Sequence, residues 1–177
     1  MSTLNILMAG FGGQGILFLG KMAAYSGLMD NKQITWLPSY GPEMRGGTAN
    51  CSVCISDDLI GSPLVINPDI LIAMNLPSLE KFINQVVPGG TVLVDSTIIE
   101  KKVEREDIKV FYIPATKLAD ENELTGLANM IMLGKMLKET NFCTECAMDE
   151  ALLKCVPPRK TDMIELNKKA LKIGSEL

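Results

Sequence analysis

Short apolar runs of strand length alternate with longer stretches of helical period along most of the chain. Asn5 to Ala9 (NILMA) is apolar almost throughout and ends at glycines, which predicts a strand buried on both faces. Ile16 to Leu28 carries apolar residues at helical spacing and predicts a helix. Gln33 to Leu37 is a second strand, expected to stop at Pro38, and Pro38 to Gly47 (PSYGPEMRGG) reads as a loop. Thr48 to Ser56 alternates as a strand with Asp57-Asp58 as its turn, and Asp69 to Met74 is a further strand. Asn75 and Pro77 then suit the cap and first turn of a helix running to about Val86. Pro88-Gly89-Gly90 turns the chain into a strand over Thr91 to Asp95. A charged, solvent-facing stretch, Glu100 to Asp107, leads to the last strand, Lys109 to Ile113.

From Ala115 onward the pattern is helical. Thr125 to Leu137 is apolar nearly all round and predicts a buried helix, with Thr125 and Asn129 on one face and the methionines of 130–136 in the core. Met163, Leu166, Ala170 and Ile173 form one stripe of a terminal amphipathic helix. Strands alternating with helices predict an α/β fold, a three-layer α/β/α Rossmann-like sandwich with a mainly parallel sheet. No internal repeat or linker divides the chain, so residues 1–177 read as a single domain.

Composition narrows the chemistry. The 177 residues are 47% hydrophobic and 21% charged, ordinary for a globular domain, and the net charge is −4. That balance, with no long Lys/Arg cluster, argues against nucleic acid as a partner. The first apolar run is too short for a membrane span or a signal peptide, and five cysteines are a poor disulfide framework, so the expected location is the cytoplasm. There is no histidine. Ser-His and Cys-His nucleophiles, imidazole acid–base catalysis and His-ligated zinc are therefore excluded, and the balance shifts toward a site shared with a cofactor or a partner chain.

Gly10-Phe11-Gly12-Gly13-Gln14-Gly15 has the G-x-G-x-x-G spacing between a predicted strand and a predicted helix. Glycines permit a tight turn and close backbone approach, and the first N–H groups of the helix point at an anion. A stand-alone NAD-binding oxidoreductase would also need an acid at the end of the second strand. Trp36-Leu37-Pro38-Ser39 offers none, and Asp30 precedes that strand. The turn could equally pack helix on strand, or serve another phosphate-bearing ligand or a partner surface. The following loop sets Glu43 and Arg45 among Gly41, Gly46 and Gly47. An Arg on such a loop suits a phosphate, a carboxylate or a partner's acidic side chain; the plainer reading is a surface salt bridge.

Cys51-x-x-Cys54 and Cys143-x-x-Cys146 leave Cys155 unpaired. Two such pairs raise the possibility of a metal or redox protein. Cys51 and Cys54 fall in a predicted strand, where residues three apart point to opposite faces. The second pair lies near a helix start, where thiol pKa values fall. Ordinary thiols, with no metal bound, are the favoured reading. Asp95 at a strand end reads as a cap or turn residue.

Gly10 to Ile16 (GFGGQGI), Arg45-Gly46-Gly47-Thr48-Ala49-Asn50, Ala128-Asn129-Met130 and Leu133-Gly134, in this order and spacing, resemble the gamma subunit of 2-oxoacid:ferredoxin oxidoreductases. The resemblance covers about residues 4 to 140. It implies a hetero-oligomeric oxidoreductase whose alpha and beta subunits hold thiamine diphosphate. Iron–sulfur clusters, on a delta ferredoxin-like subunit among others, would pass electrons to ferredoxin, and coenzyme A would take the acyl group. The gamma-type chain is expected to bind no cofactor alone and to have no catalytic residue or isolated activity. Carried over by position, the matching residues are Gly12, Gly13, Gln14, Arg45, Gly46, Gly47, Asn50 and Asn129, and Gly10 and Gly15 complete the expected coenzyme-facing set. Arg45 and the glycine turn are expected to face an inter-subunit cleft where coenzyme A enters. 2-Oxoglutarate or a branched-chain 2-oxoacid is the expected substrate.

Overall fold

The structure is a computed structural model that describes residues 3–40 and 48–177. Its strands are β1 (Leu4–Phe11), β2 (Gln33–Tyr40), β3 (Thr48–Ser56), β4 (Ile70–Ala73), β5 (Thr91–Asp95) and β6 (Lys109–Ile113). Its helices are α1 (Ile16–Met29), α2 (Leu76–Phe82), α3 (Ala115–Glu121), α4 (Ala128–Thr140), α5 (Glu145–Cys155) and α6 (Asp162–Ser175). The strands form one sheet in the order β2-β3-β1-β4-β5-β6. β1, β4, β5 and β6 are parallel neighbours, while β3 lies antiparallel between β1 and β2. The expected α/β sandwich with a mainly parallel sheet is what forms.

Alternation along the strands builds two cores. Ile6, Met8, Val53, Ile72 and Leu93 face α1 and the C-terminal helices, and Leu7, Ala9, Leu71, Val92 and Val94 face α2. The layers are unequal. Helices α1, α3, α4, α5 and α6 all contribute to the first core, whereas α2 is the only helix contributing to the second among the described residues. The β3–β4 crossover supplies Val65 to that second core.

Several boundaries differ from the sequence reading for identifiable reasons. β2 continues through Pro38, which pairs with Cys51, because β2 is an edge strand where a missing N–H can fall on the side with no neighbour. The helix opened by Asn75 and Pro77 ends at Phe82 and tightens into a 3-10 turn over Ile83–Gln85. Asn75 caps it as expected, its Oδ1 accepting from the Ser78 N–H at 2.8 Å. The helix expected from Thr125 starts at Ala128 instead, so Thr125 is an exposed turn residue and shares no helical face with Asn129. The charged stretch before β6 is less free than its composition suggests. Arg105 Nη1 donates to the carbonyls of Ile83 and Val86, both at 2.8 Å, and pins it to the 3-10 turn.

Helices α4 and α6 cross with their backbones in contact. A Cβ on Gly134 would run into the Leu171 carbonyl, and one on Gly174 into the Ile131 carbonyl. Backbone oxygens cannot swing aside as a flexible side chain does. Gly134→Ala or Gly174→Ala is expected to cost about 2–3 kcal/mol by forcing the helices apart. Urea unfolding should show a lowered midpoint, and an unchanged midpoint would mean that the crossing is looser than described.

Candidate functional site

α1 leaves the end of β1 on one face of the sheet and leads toward β2, while α2 leaves the end of β4 on the other face and leads to β5. The chain directions therefore diverge between β1 and β4, the point where open α/β sheets form a ligand crevice outside the carboxyl ends of their strands. The glycine turn lies at this point.

Its six residues divide into separate tasks. Gln14 faces inward: its Oε1 accepts from the Phe11 N–H at 2.6 Å, and its Nε2 donates to the Met74 carbonyl at 2.8 Å. One side chain thus staples the end of β1 to the end of β4. Gly10 leaves room for that staple, since a Cβ there would meet Gln14 Oε1 at 2.5 Å and Ile16 Cδ1 at 2.8 Å. Gly15 adopts a left-handed conformation (φ 74°) at the N-cap of α1. The Asn129 side chain sits on it, with Nδ2 donating to the Gly15 carbonyl at 3.1 Å and Oδ1 accepting from the Met130 N–H at 2.9 Å. Gly13 differs from both. It has φ 99°, is exposed, and has open space where a Cβ would stand.

No side chain caps the N-terminus of α1. The N–H groups of its first turn have no intrahelical acceptor, and behind an open Gly13 they suit an anionic group. Across the crevice Asn75 is fully buried, and its Nδ2 has no hydrogen-bond partner. The capping role of Asn75 is readable from sequence; this spare donor is not.

Asn50 lies on β3, paired with Ala9 on one side and Ser39 on the other. Phe11 pairs with Thr48, and Tyr40 with Ala49, so both described ends of the β2–β3 connection stand beside the glycine turn. Arg45, Gly46 and Gly47 lie outside the described residues. No carboxylate ends β2. Asp30 is at the opposite end of the sheet, where it accepts from the Thr144 N–H and hydroxyl at 2.6 and 2.7 Å. It also lines a cavity of about 690 Å³ with Leu4, Asp57 and Cys143, remote from the turn. Asp95 is buried, accepting from the Thr97 N–H at 3.1 Å and the Thr116 hydroxyl at 2.6 Å, which joins β5 to the first turn of α3.

The cysteines disperse. Cys51 belongs to the α1 core and Cys54 to the α2 core, on opposite faces of the sheet. Burial pushes the Cys51 and Cys143 thiols up to about 12 and Cys155 to about 11. For Cys143 this overrides the lowering expected near a helix start, since the thiol is buried in the first core, against Ser26, while Cys146 is exposed. Among the described residues no three Cys, Asp or Glu side chains converge, so the donors do not fit an iron–sulfur cluster.

Residues 5–177 match the family described as pyruvate ferredoxin/flavodoxin oxidoreductase. The chain belongs to this family. Subunit KorC of the Methanocaldococcus jannaschii 2-oxoglutarate synthase is 40% identical over 159 residues, covering 86% of this chain and 83% of KorC. Ketoisovalerate oxidoreductase subunit VorA of Methanothermobacter thermautotrophicus is 36% identical over 174 residues, covering 98% of this chain; the chain spans 36% of VorA's length. The structure of the keto/oxoacid ferredoxin oxidoreductase gamma subunit from Geobacter sulfurreducens superposes with a TM-score of 0.83 and 30% identity, covering 98% of this chain and 96% of that one. The Magnetococcus marinus 2-oxoglutarate:ferredoxin oxidoreductase, solved with 2-oxoglutarate, coenzyme A and succinyl-CoA, shares the fold with a TM-score of 0.89 and 22% identity, over 99% of this chain and 31% of that one. No helix among the described residues is long and apolar enough to cross a membrane.

Two outcomes test this geometry. Gln14→Ala strands the Phe11 N–H and the Met74 carbonyl and should cost about 1–3 kcal/mol in urea unfolding; a neutral substitution would remove the staple. With a thiol-reactive chromogenic disulfide at neutral pH, the native chain should titrate one fast thiol, Cys146, and all five only after denaturation.

Proposed function

We propose that this chain is the gamma-type subunit of a cytoplasmic 2-oxoacid:ferredoxin oxidoreductase and lends its glycine turn to the coenzyme A site. The observation that carries the reading is the uncapped N-terminus of α1 behind an open Gly13, at the point where the crossovers diverge. Membership of the family, the likeness to KorC along most of both chains, and the coenzyme in the Magnetococcus complex support it.

In this reading the companion alpha and beta subunits hold thiamine diphosphate, iron–sulfur clusters lie on those or on a ferredoxin-like delta subunit, and ferredoxin receives the electrons. Coenzyme A, when bound, supplies the thiol that accepts the acyl group. Gly12, Gly13 and the first turn of α1 present N–H groups to its anionic portion. Arg45 adds a charge-assisted contact to the coenzyme, and Gly46, Gly47 and Asn50 belong to the same coenzyme-facing set. Gly10, Gln14, Gly15 and Asn129 act one step back, holding the turn. With no histidine and with buried thiols protonated, the chain supplies binding and orientation rather than proton transfer. The substrate is 2-oxoglutarate or a branched-chain 2-oxoacid, as the names of KorC and VorA indicate for those proteins.

Arg45→Ala in the reconstituted complex should raise the KM for coenzyme A by about tenfold or more and leave the 2-oxoacid KM unchanged, as expected for losing a hydrogen bond from a charged group worth about 1.5–3 kcal/mol. An unchanged coenzyme KM in an assembled complex would overturn this assignment.

A further inference from the structure

The start of α1 does not stand alone at the carboxyl edge of the sheet. Asn129, the second residue of α4, reaches the Gly15 carbonyl, so α4 begins one asparagine side chain away from α1. Both helices lie on the first face, α1 over β1, β2 and β3 and α4 over β5. The two starts are alike. Neither has a side-chain cap or an acidic residue in its first turn, whereas the first turns of α5 and α6 carry Glu145, Asp162 and Glu165. Gly126 precedes α4 as Gly13 precedes α1: it has φ 84°, is exposed, and has open space where a Cβ would stand. The first N–H groups of each helix have no intrahelical acceptor, and the positive ends of the two dipoles lie side by side.

A buried donor stands between them. β4 lies between β1, from which α1 leaves, and β5, beneath α4, and Asn75 follows the end of β4 at this same edge. The Asn75 side chain is fully buried. Its Oδ1 is spent on the Ser78 N–H at 2.8 Å, in the first turn of α2. The other branch of the amide, Nδ2, is therefore turned away from α2, toward the face where α1 and α4 begin, and it has no partner. Two other buried side-chain atoms among the described residues lack partners, and neither shares this place or role. Thr35 Oγ1 belongs to the edge strand β2, and Asn167 Oδ1, on α6, is an acceptor. A buried amide donor without a partner is costly to keep, and the cost is recovered when an acceptor arrives with a ligand.

We infer that this edge is a diphosphate subsite, with one phosphate on the first turn of α1, the next on the first turn of α4, and Asn75 Nδ2 donating between them. The inference rests on the coenzyme A reading above and specifies it, since coenzyme A carries a diphosphate between its adenosine and pantetheine portions. A lone carboxylate or phosphate would fill one helix start and leave the other start and Asn75 unsatisfied. Two linked phosphates match two neighbouring starts and the amide between them. Nδ2 is screened from bulk water. Gly12 and Gly13, free of Cβ atoms, are the part of the turn that can yield to admit a phosphate oxygen. Asn75 is neutral and moves no proton; it binds and orients.

The test uses the reconstituted complex, loaded with thiamine diphosphate so that the companions' own diphosphate site is filled. Inorganic pyrophosphate and orthophosphate are titrated calorimetrically with no 2-oxoacid present, and the KM for coenzyme A is measured separately. Pyrophosphate should bind at least about tenfold more tightly than orthophosphate, and coenzyme A should displace it. Asn75→Ser keeps an oxygen that caps α2 and removes the spare donor. It should weaken pyrophosphate and raise the coenzyme A KM at least about tenfold, with the thermal midpoint of the isolated chain unchanged. Ala128→Asp puts a carboxylate at the start of α4, which suits the helix but repels the anion; pyrophosphate should again weaken about tenfold without loss of thermal stability. Equal affinity for the two anions, or wild-type pyrophosphate affinity in both variants, overturns the inference. If Arg45→Ala nevertheless raises the coenzyme A KM, the coenzyme A reading stands; if it does not, both fall.

Discussion

The close approach of α1 to β3 governs much of this fold. β3 is inserted antiparallel between β1 and β2, so the crossover from β1 to the edge must lie across a strand that does not belong to it. Contact at that depth requires glycine: a Cβ at Gly20 would strike Cys51 Sγ, and one at Gly27 would press on Ile34 and Ile55 at 3.0–3.2 Å. The insertion also returns the β2–β3 connection to the carboxyl end of β1, beside the glycine turn. It sends the next connection over the opposite face, where no described helix lies over β2 and β3. The position of the β2–β3 connection beside the glycine turn and the lack of a described helix over the second face of β3 thus follow from one topological choice.

Much of the architecture is legible because period and punctuation agree. Fully apolar runs become strands buried on both faces, and their alternate residues sort into the two cores. The direction of β3 was encoded less visibly. The segment between Tyr40 and Thr48 is too short to carry the helical crossover a parallel pair requires, so an antiparallel pairing was implied by length rather than by any motif. The helix around Asn129 was misjudged at its start because Leu124 and Leu127 are buried for tertiary reasons, which extended the apolar pattern beyond the helix itself.

At the site, residue types were legible and their duties were not. The glycine spacing located the turn, yet only the coordinates separate Gly10 and Gly15, which make room for side chains, from Gly13, which faces open space. Gln14 and Asn129 look like ligand-binding amides in a sequence, but Gln14 spends its amide on Phe11 and Met74, and Asn129 on Gly15 and Met130. Met74 is 60 residues from Gln14 and Gly15 is 114 from Asn129; no local pattern announces partners so distant. The opposite facing of Cys51 and Cys54 was legible, because strand geometry alone decides it.

The bond from Asn129 to Gly15 has a temporal consequence. Synthesis proceeds from the amino end, so β1 and the glycines leave the ribosome long before the residue that clasps them. A nascent chain carries the whole G-x-G-x-x-G segment while its last carbonyl still lacks the Asn129 amide, and α4 must dock before the turn is locked. The clasp on Gly15 is therefore a contact that cannot form until α4 has been synthesised.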